Sequence, residues 1–102
     1  MENDFIKITF SEPINSSSVK NFIELLIRLC VEKPEAKYLI INMSSPGGDV
    51  DVAIELFHFL RELDCEIQTV NTSFVNSAAI IVYLAGDVRI SHSGSTFYIH
   101  SI

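Results

Sequence analysis

Tyr38-Leu-Ile-Ile-Asn-Met-Ser-Ser-Pro-Gly-Gly-Asp49 is the stretch on which the fold turns. Tyr38–Met43 is a nearly continuous apolar run of strand length. Continuous rather than alternating apolarity predicts a central strand covered on both faces, as in parallel α/β sheets. Ser44–Asp49 is then a tight turn, built on proline and two glycines. Asp49 is a good helix N-cap, and Ala53, Leu56, Phe57 and Leu60 form an apolar stripe at helical spacing that ends near Asp64. Strand, tight turn and helix in this order make a βα unit.

The same unit recurs on either side. Upstream, Phe5–Phe10 alternates apolar and polar residues and reads as a strand. Ser11–Ser16 carries a proline and small polar residues and reads as a loop. Ser16, Ser17 and Ser18 each offer an N-cap, and apolar residues at 19, 22, 23, 26, 27 and 30 predict a helix closed by Pro34. Downstream, Glu66–Asn71 predicts a short strand and Thr72–Asn76 an irregular link. Ser77–Ala85 is small and apolar and ends at Gly86, which predicts a buried helix. Val88–Ser91 and Thr96–His100 predict two short strands around a turn at His92–Ser95. Alternation of strands and helices predicts an α/β fold with a mainly parallel sheet and right-handed crossovers. No linker, charge run or low-complexity tract divides residues 1–102, so one domain is expected.

Composition narrows the function. A 102-residue chain with 48% hydrophobic residues has enough apolar material for a core. Seven basic residues against 13 acidic give a formal charge of −6, which leaves no electrostatic case for nucleic acid or an anionic membrane as partner. The N-terminus has no basic segment followed by an apolar one, and no stretch approaches a membrane span, so the expected location is cytoplasmic. Cys30 and Cys65 lie among apolar neighbours outside any C-x-x-C pair, and are expected as buried, reduced thiols, the other reading being a single disulfide in a secreted protein. His58 falls on a helix and His92 in a turn, with no metal-ligand spacing around them; no metal or other cofactor is expected.

Three features carry chemistry. The glycines of Pro46-Gly47-Gly48 permit close backbone approach, and a helix start offers unpaired N–H groups that suit a phosphate, a carboxylate or an oxyanion. No lysine follows them, so this is not a Walker A loop. Taken alone, the motif is equally a plain tight turn. Ser77 stands at the predicted start of the third helix. It is either an N-cap or a nucleophile whose neighbouring N–H stabilises charge on a reacting carbonyl. His100, closing an aromatic strand, is either a structural histidine or a general base.

Together these features resemble the Clp protease proteolytic subunit family, which has the ClpP/crotonase-like fold. Ile41-Asn-Met-Ser-Ser-Pro-Gly-Gly-Asp-Val50 is similar to its oxyanion-hole segment. Ser73-Phe-Val-Asn-Ser-Ala-Ala79 is similar to the segment bearing its nucleophile. Leu84-Ala-Gly86, Arg89 and Phe97-Tyr-Ile-His100 are similar to the stretch ending at its histidine. Gly48 precedes Ser77 by 29 residues, as the resemblance requires. The resemblance implies a serine peptidase with Ser77 as nucleophile, His100 as general base, and the N–H groups of Gly48 and Ala78 as oxyanion hole, supported by Pro46 and Gly47. It also implies peptide or unfolded-protein substrates, a ring of identical subunits and an AAA+ ATPase partner.

The family's third catalytic residue is an aspartate well beyond the histidine. The acids here, including Asp49, Asp64 and Asp87, do not match it, so the chain is expected to be the N-terminal part of a longer domain. Ser73 replaces a usual glycine and Asn76 a usual alanine. Met43 and Ser44 stand between Asn42 and the Ser-Pro-Gly-Gly turn, which implies a strand register shifted by one. A second reading is therefore a non-catalytic structural subunit or pseudoenzyme. An acyl-CoA enzyme of the crotonase type needs no serine and histidine at this spacing. A Ser-Lys peptidase is disfavoured because Lys7, Lys20, Lys33 and Lys37 all precede the glycine turn.

Overall fold

The computed structural model describes residues 4–99. Among them the elements run β1 (Phe5–Phe10), α1 (Ser16–Glu32), β2 (Tyr38–Ser45), α2 (Val50–Arg61), β3 (Glu66–Asn76), α3 (Ala79–Tyr83), β4 (Val88–Ser91) and β5 (Thr96–Tyr98). The expected order of strands and helices is observed. The sheet runs β1-β2-β3-β4, β5 pairs with β3, and every pairing is parallel.

The local signals act much as their chemistry requires. Asn15, rather than one of the serines after it, caps α1. Its extended backbone lets its side chain accept from the Ser18 N–H at 2.8 Å, while Ser18 Oγ accepts from the Asn15 N–H at 3.1 Å. Asp49 caps α2 by accepting from the N–H groups of Asp51 and Val52. Val19, Phe22 and Leu26 form the buried stripe of α1, and Phe22 meets Phe10 of β1 edge-on at 5.0 Å.

The sheet is more one-sided than continuous apolarity predicts. Leu39, Ile41, Met43 and Ser45 of β2 are buried, but Ile40, Asn42 and Ser44 between them are only half-buried. Ile6, Ile8 and Phe10 alternate in the same way with exposed residues. The helices thus cover one face, and α2 touches both α1 and α3 in that layer.

β3 is longer than its local sequence indicates. The stretch Thr72–Asn76, read as an irregular link, continues the strand because β5 pairs with residues 74–76. Such non-local pairing overrides local propensity. The register irregularity near Met43 also lies in β3. β2 stays in step with β1, but between the pairs Met43↔Asn71 and Ser45↔Val75 two steps along β2 match four along β3. Helix α3 is shorter than the 77–85 span that apolarity predicts.

Asp87 ties the start of β3 to the turn before β4. Its carboxylate accepts from the Ile67 N–H at 2.9 Å and from Arg61 at 2.8 Å. The Ile67 bond first, and the Arg61 bond second, hold this carboxyl below the ordinary value of 3.8. A carboxyl with a depressed folded pKa stabilises the fold above that ordinary value and loses the contribution as pH falls through the lower folded one. Asp87→Asn should therefore lower the Tm at neutral pH and flatten its acid-side decline, as thermal melts across pH would show.

Candidate active site

Two turns at the C-terminal ends of adjacent parallel strands build the site. The first follows β2. Ser45 is fully buried; its Oγ donates to the Glu12 carbonyl at 2.7 Å and accepts from the Gly47 N–H at 3.2 Å. Ile14 clamps the turn from outside: its N–H donates to Gly47 O at 2.8 Å and its carbonyl accepts from the Asp49 N–H at 2.9 Å. Gly47 and Gly48 have φ of 98° and 151°, a region that side chains disfavour. An added Cβ on Gly48 would lie 2.1 Å from the Ile14 carbonyl oxygen.

The second turn links β3 to α3 and carries Ser77. Its φ of 55° makes it the one non-glycine residue with positive φ among those described. This left-handed conformation costs a non-glycine residue roughly 1–2 kcal/mol. Ser77 is not the helix N-cap; that position falls to Ala78, which makes no side-chain capping bond. The Ser77 N–H donates to Tyr98 O of β5 at 2.7 Å, and its carbonyl accepts from the Ile80 N–H at 3.0 Å. Such a strained strand-to-helix turn resembles in principle the elbow that displays the serine nucleophile of α/β-hydrolases.

The two turns are in direct contact. An added Cβ on Gly47 would lie 2.6 Å from Asn76 O, 2.9 Å from Ser77 Cβ and 3.2 Å from Ala78 N. A cleft of about 560 Å³ opens over them, lined by Pro46, Gly48, Ser77 and Ala78, with Val50 and Ile81 giving apolar wall. Neither the Gly48 nor the Ala78 N–H donates to another described residue. Tyr98 and Ile99 line the cleft as well. His100 follows them in the chain and lies outside the described residues. The structure brings Pro46, Gly48, Ser77 and Ala78 to one cleft, with Gly47 packed against the Asn76–Ala78 backbone.

Sequence reasoning missed the supports. Asn71 is fully buried where β3 passes from β4 to β5. Its Nδ2 donates to Thr96 O at 2.8 Å and its Oδ1 accepts from the Ser73 N–H at 3.1 Å. Thr69 Oγ1 donates to Tyr83 O at 2.7 Å, and Tyr83 OH donates to Ile90 O at 2.9 Å. Burial, opposed by the charge of Arg89, pushes the Tyr83 hydroxyl pKa up. The Tyr83 ring meets Phe97 of β5 at 5.0 Å. Polar residues at inward-facing positions of β3 were the available signal. Asn76 Oδ1 is buried with no partner among the described residues.

The Clp protease family model matches residues 3–101, and the chain belongs to that family. It is 35% identical over 78 residues to the ATP-dependent Clp protease proteolytic subunit 2 of Treponema pallidum (strain Nichols), a match covering 74% of this chain and 37% of that protein. The protein of the same name from Treponema denticola is 33% identical over 86 residues, covering 79% of this chain and 43% of that protein. The chain therefore spans less than half the length of these curated relatives. Among solved structures, ClpP1 from Listeria monocytogenes superposes with a TM-score of 0.76 at 22% identity, over 92% of this chain and 54% of that one. The ClpP protease catalytic domain from Plasmodium falciparum gives 0.74 at 20% identity, over 94% and 54%. These likenesses establish the shared fold.

Gly47→Ala would place a methyl group against the Asn76–Ala78 backbone at an unfavourable φ. It should cost at least about 2 kcal/mol, read as a lower denaturation midpoint with an unchanged slope.

Proposed function

We propose that the protein is a serine endopeptidase of the Clp proteolytic subunit kind, acting on unfolded proteins or peptides. The observation that carries this reading is Ser77 held at φ 55° in the wall of the cleft, in contact with the Pro46–Gly48 turn. Ser77 Oγ attacks the scissile carbonyl carbon while His100 takes its proton. The N–H groups of Gly48 and Ala78 donate hydrogen bonds to the negative oxygen of the tetrahedral intermediate. His100 then protonates the leaving amine, and water hydrolyses the acyl-enzyme with the same histidine as base. Removing an oxyanion donor of this type costs on the order of 10²–10³ in rate.

Family membership supports the assembly that goes with this chemistry: a homo-oligomeric ring, fed by an AAA+ ATPase, in the cytoplasm. The net charge of −6 argues against nucleic acid or an anionic membrane as partner. Among the described residues no helix is long and apolar enough to cross a membrane, and no three His, Cys, Asp or Glu side chains are grouped to hold a metal ion.

A tagged fluorophosphonate should modify the folded protein at Ser77, as peptide mapping would show, and His100→Ala should slow that reaction by about 10²–10⁴. Ser77→Gly should abolish labelling while raising stability by about 1 kcal/mol, because glycine accepts the left-handed conformation. Absence of an adduct at Ser77 in folded protein would overturn the peptidase reading and leave a structural subunit.

A further inference from the structure

At the opposite end of β3 from Ser77, the two cysteines share a cleft. Cys30 sits in the last turn of α1, and Cys65 immediately precedes β3. Both line a cavity of about 390 Å³, with Ile6 and Ala36 beside them. Both are free and half-buried, rather than fully buried as their apolar neighbours in the sequence indicate. They are 35 positions apart in the chain, so only the packing of α1 beside the α2–β3 connection brings them together.

We propose that Cys30 and Cys65 form a paired-thiol modification site that a peroxide closes to an intramolecular disulfide. One thiolate attacks the peroxide, whose O–O bond breaks; water leaves and a sulfenic acid remains on that cysteine. The second thiol then attacks the sulfenic sulfur, its proton goes to the departing oxygen, and a second water leaves as the S–S bond forms. The two thiols lose two electrons and two protons, and the peroxide is reduced to two waters. Shared solvent access through the cleft lets the oxidant reach both sulfurs. The charge of Cys30 is, after burial, the next-largest cause raising the Cys65 thiol pKa, which fits their closeness; burial raises Cys30 as well, so the attacking thiolate is a minor species at neutral pH and closure is slow there. The pairing is independent of the peptidase reading, since the Ser77 cleft shares no residue with this one.

The test is to treat the purified protein with hydrogen peroxide, alkylate the remaining thiols and digest without reductant. The expected result is a Cys30 peptide linked to a Cys65 peptide, an intact mass lower by about 2 Da that a thiol reductant restores, and a Tm higher by on the order of 10 °C. Cys65→Ser should abolish the link and send Cys30 on to sulfinic acid. Separate over-oxidation of the two cysteines in the unaltered protein, links between chains only, or two unreacted thiols would each overturn the proposal.

Discussion

Gly47 has no side chain, and the backbone of Asn76 and Ala78 occupies the space where one would stand. This contact between two turns sets the geometry of the cleft. It requires β2 and β3 to be adjacent and parallel, because only parallel neighbours bring their C-terminal ends to the same edge of the sheet. It also requires the β2 turn to be fixed from behind, which Ile14 and Ser45 do through backbone and hydroxyl hydrogen bonds. A side chain at Gly47 would push the turns apart, and Gly48 and Ala78 would no longer line one cavity with Ser77.

β3 is the element through which the rest of the fold acts on that contact. Its first half pairs with β4 and its second with β5. The change of partner leaves a gap in the ladder, and a buried gap must find hydrogen bonds elsewhere. Asn71 supplies them, joining its own strand to Thr96. β5 is thereby held where Tyr98 O can accept from the Ser77 N–H, which fixes the serine's unusual backbone. Tyr83 adds a second tie through its edge contact with Phe97.

Stability and chemistry diverge at Ser77 and Asn76. A left-handed serine and a buried amide oxygen with no partner among the described residues both cost free energy, the latter about 1–3 kcal/mol. The core under the helices offsets such costs: Leu26, Leu39, Ile41, Met43, Leu56 and Leu60 are fully buried. Strain of this kind persists where the surrounding structure over-determines it, and it gathers at sites of chemistry.

The sequence by itself determined the elements whose signals are local. The alternation of Phe5–Phe10, the helical stripes of α1 and α2, the cap at Asp49 and the glycine turn at 46–48 are each written in a few neighbouring residues, and the order of elements followed from them. The resemblance of the motifs at 41–50 and 73–79 to one family was likewise legible, and it implied that Pro46, Gly47, Gly48, Ser77 and Ala78 lie together. Tertiary structure alone decided what depends on distant partners. The extension of β3 through Asn76 exists because β5 pairs with it, the backbone of Ser77 is set by an acceptor 21 residues away on Tyr98, and Asn71 has a role only where two strands exchange. That Ile40, Asn42 and Ser44 are only half-buried was also beyond a local reading, since an apolar run shows which residues favour burial but not which face the helices cover.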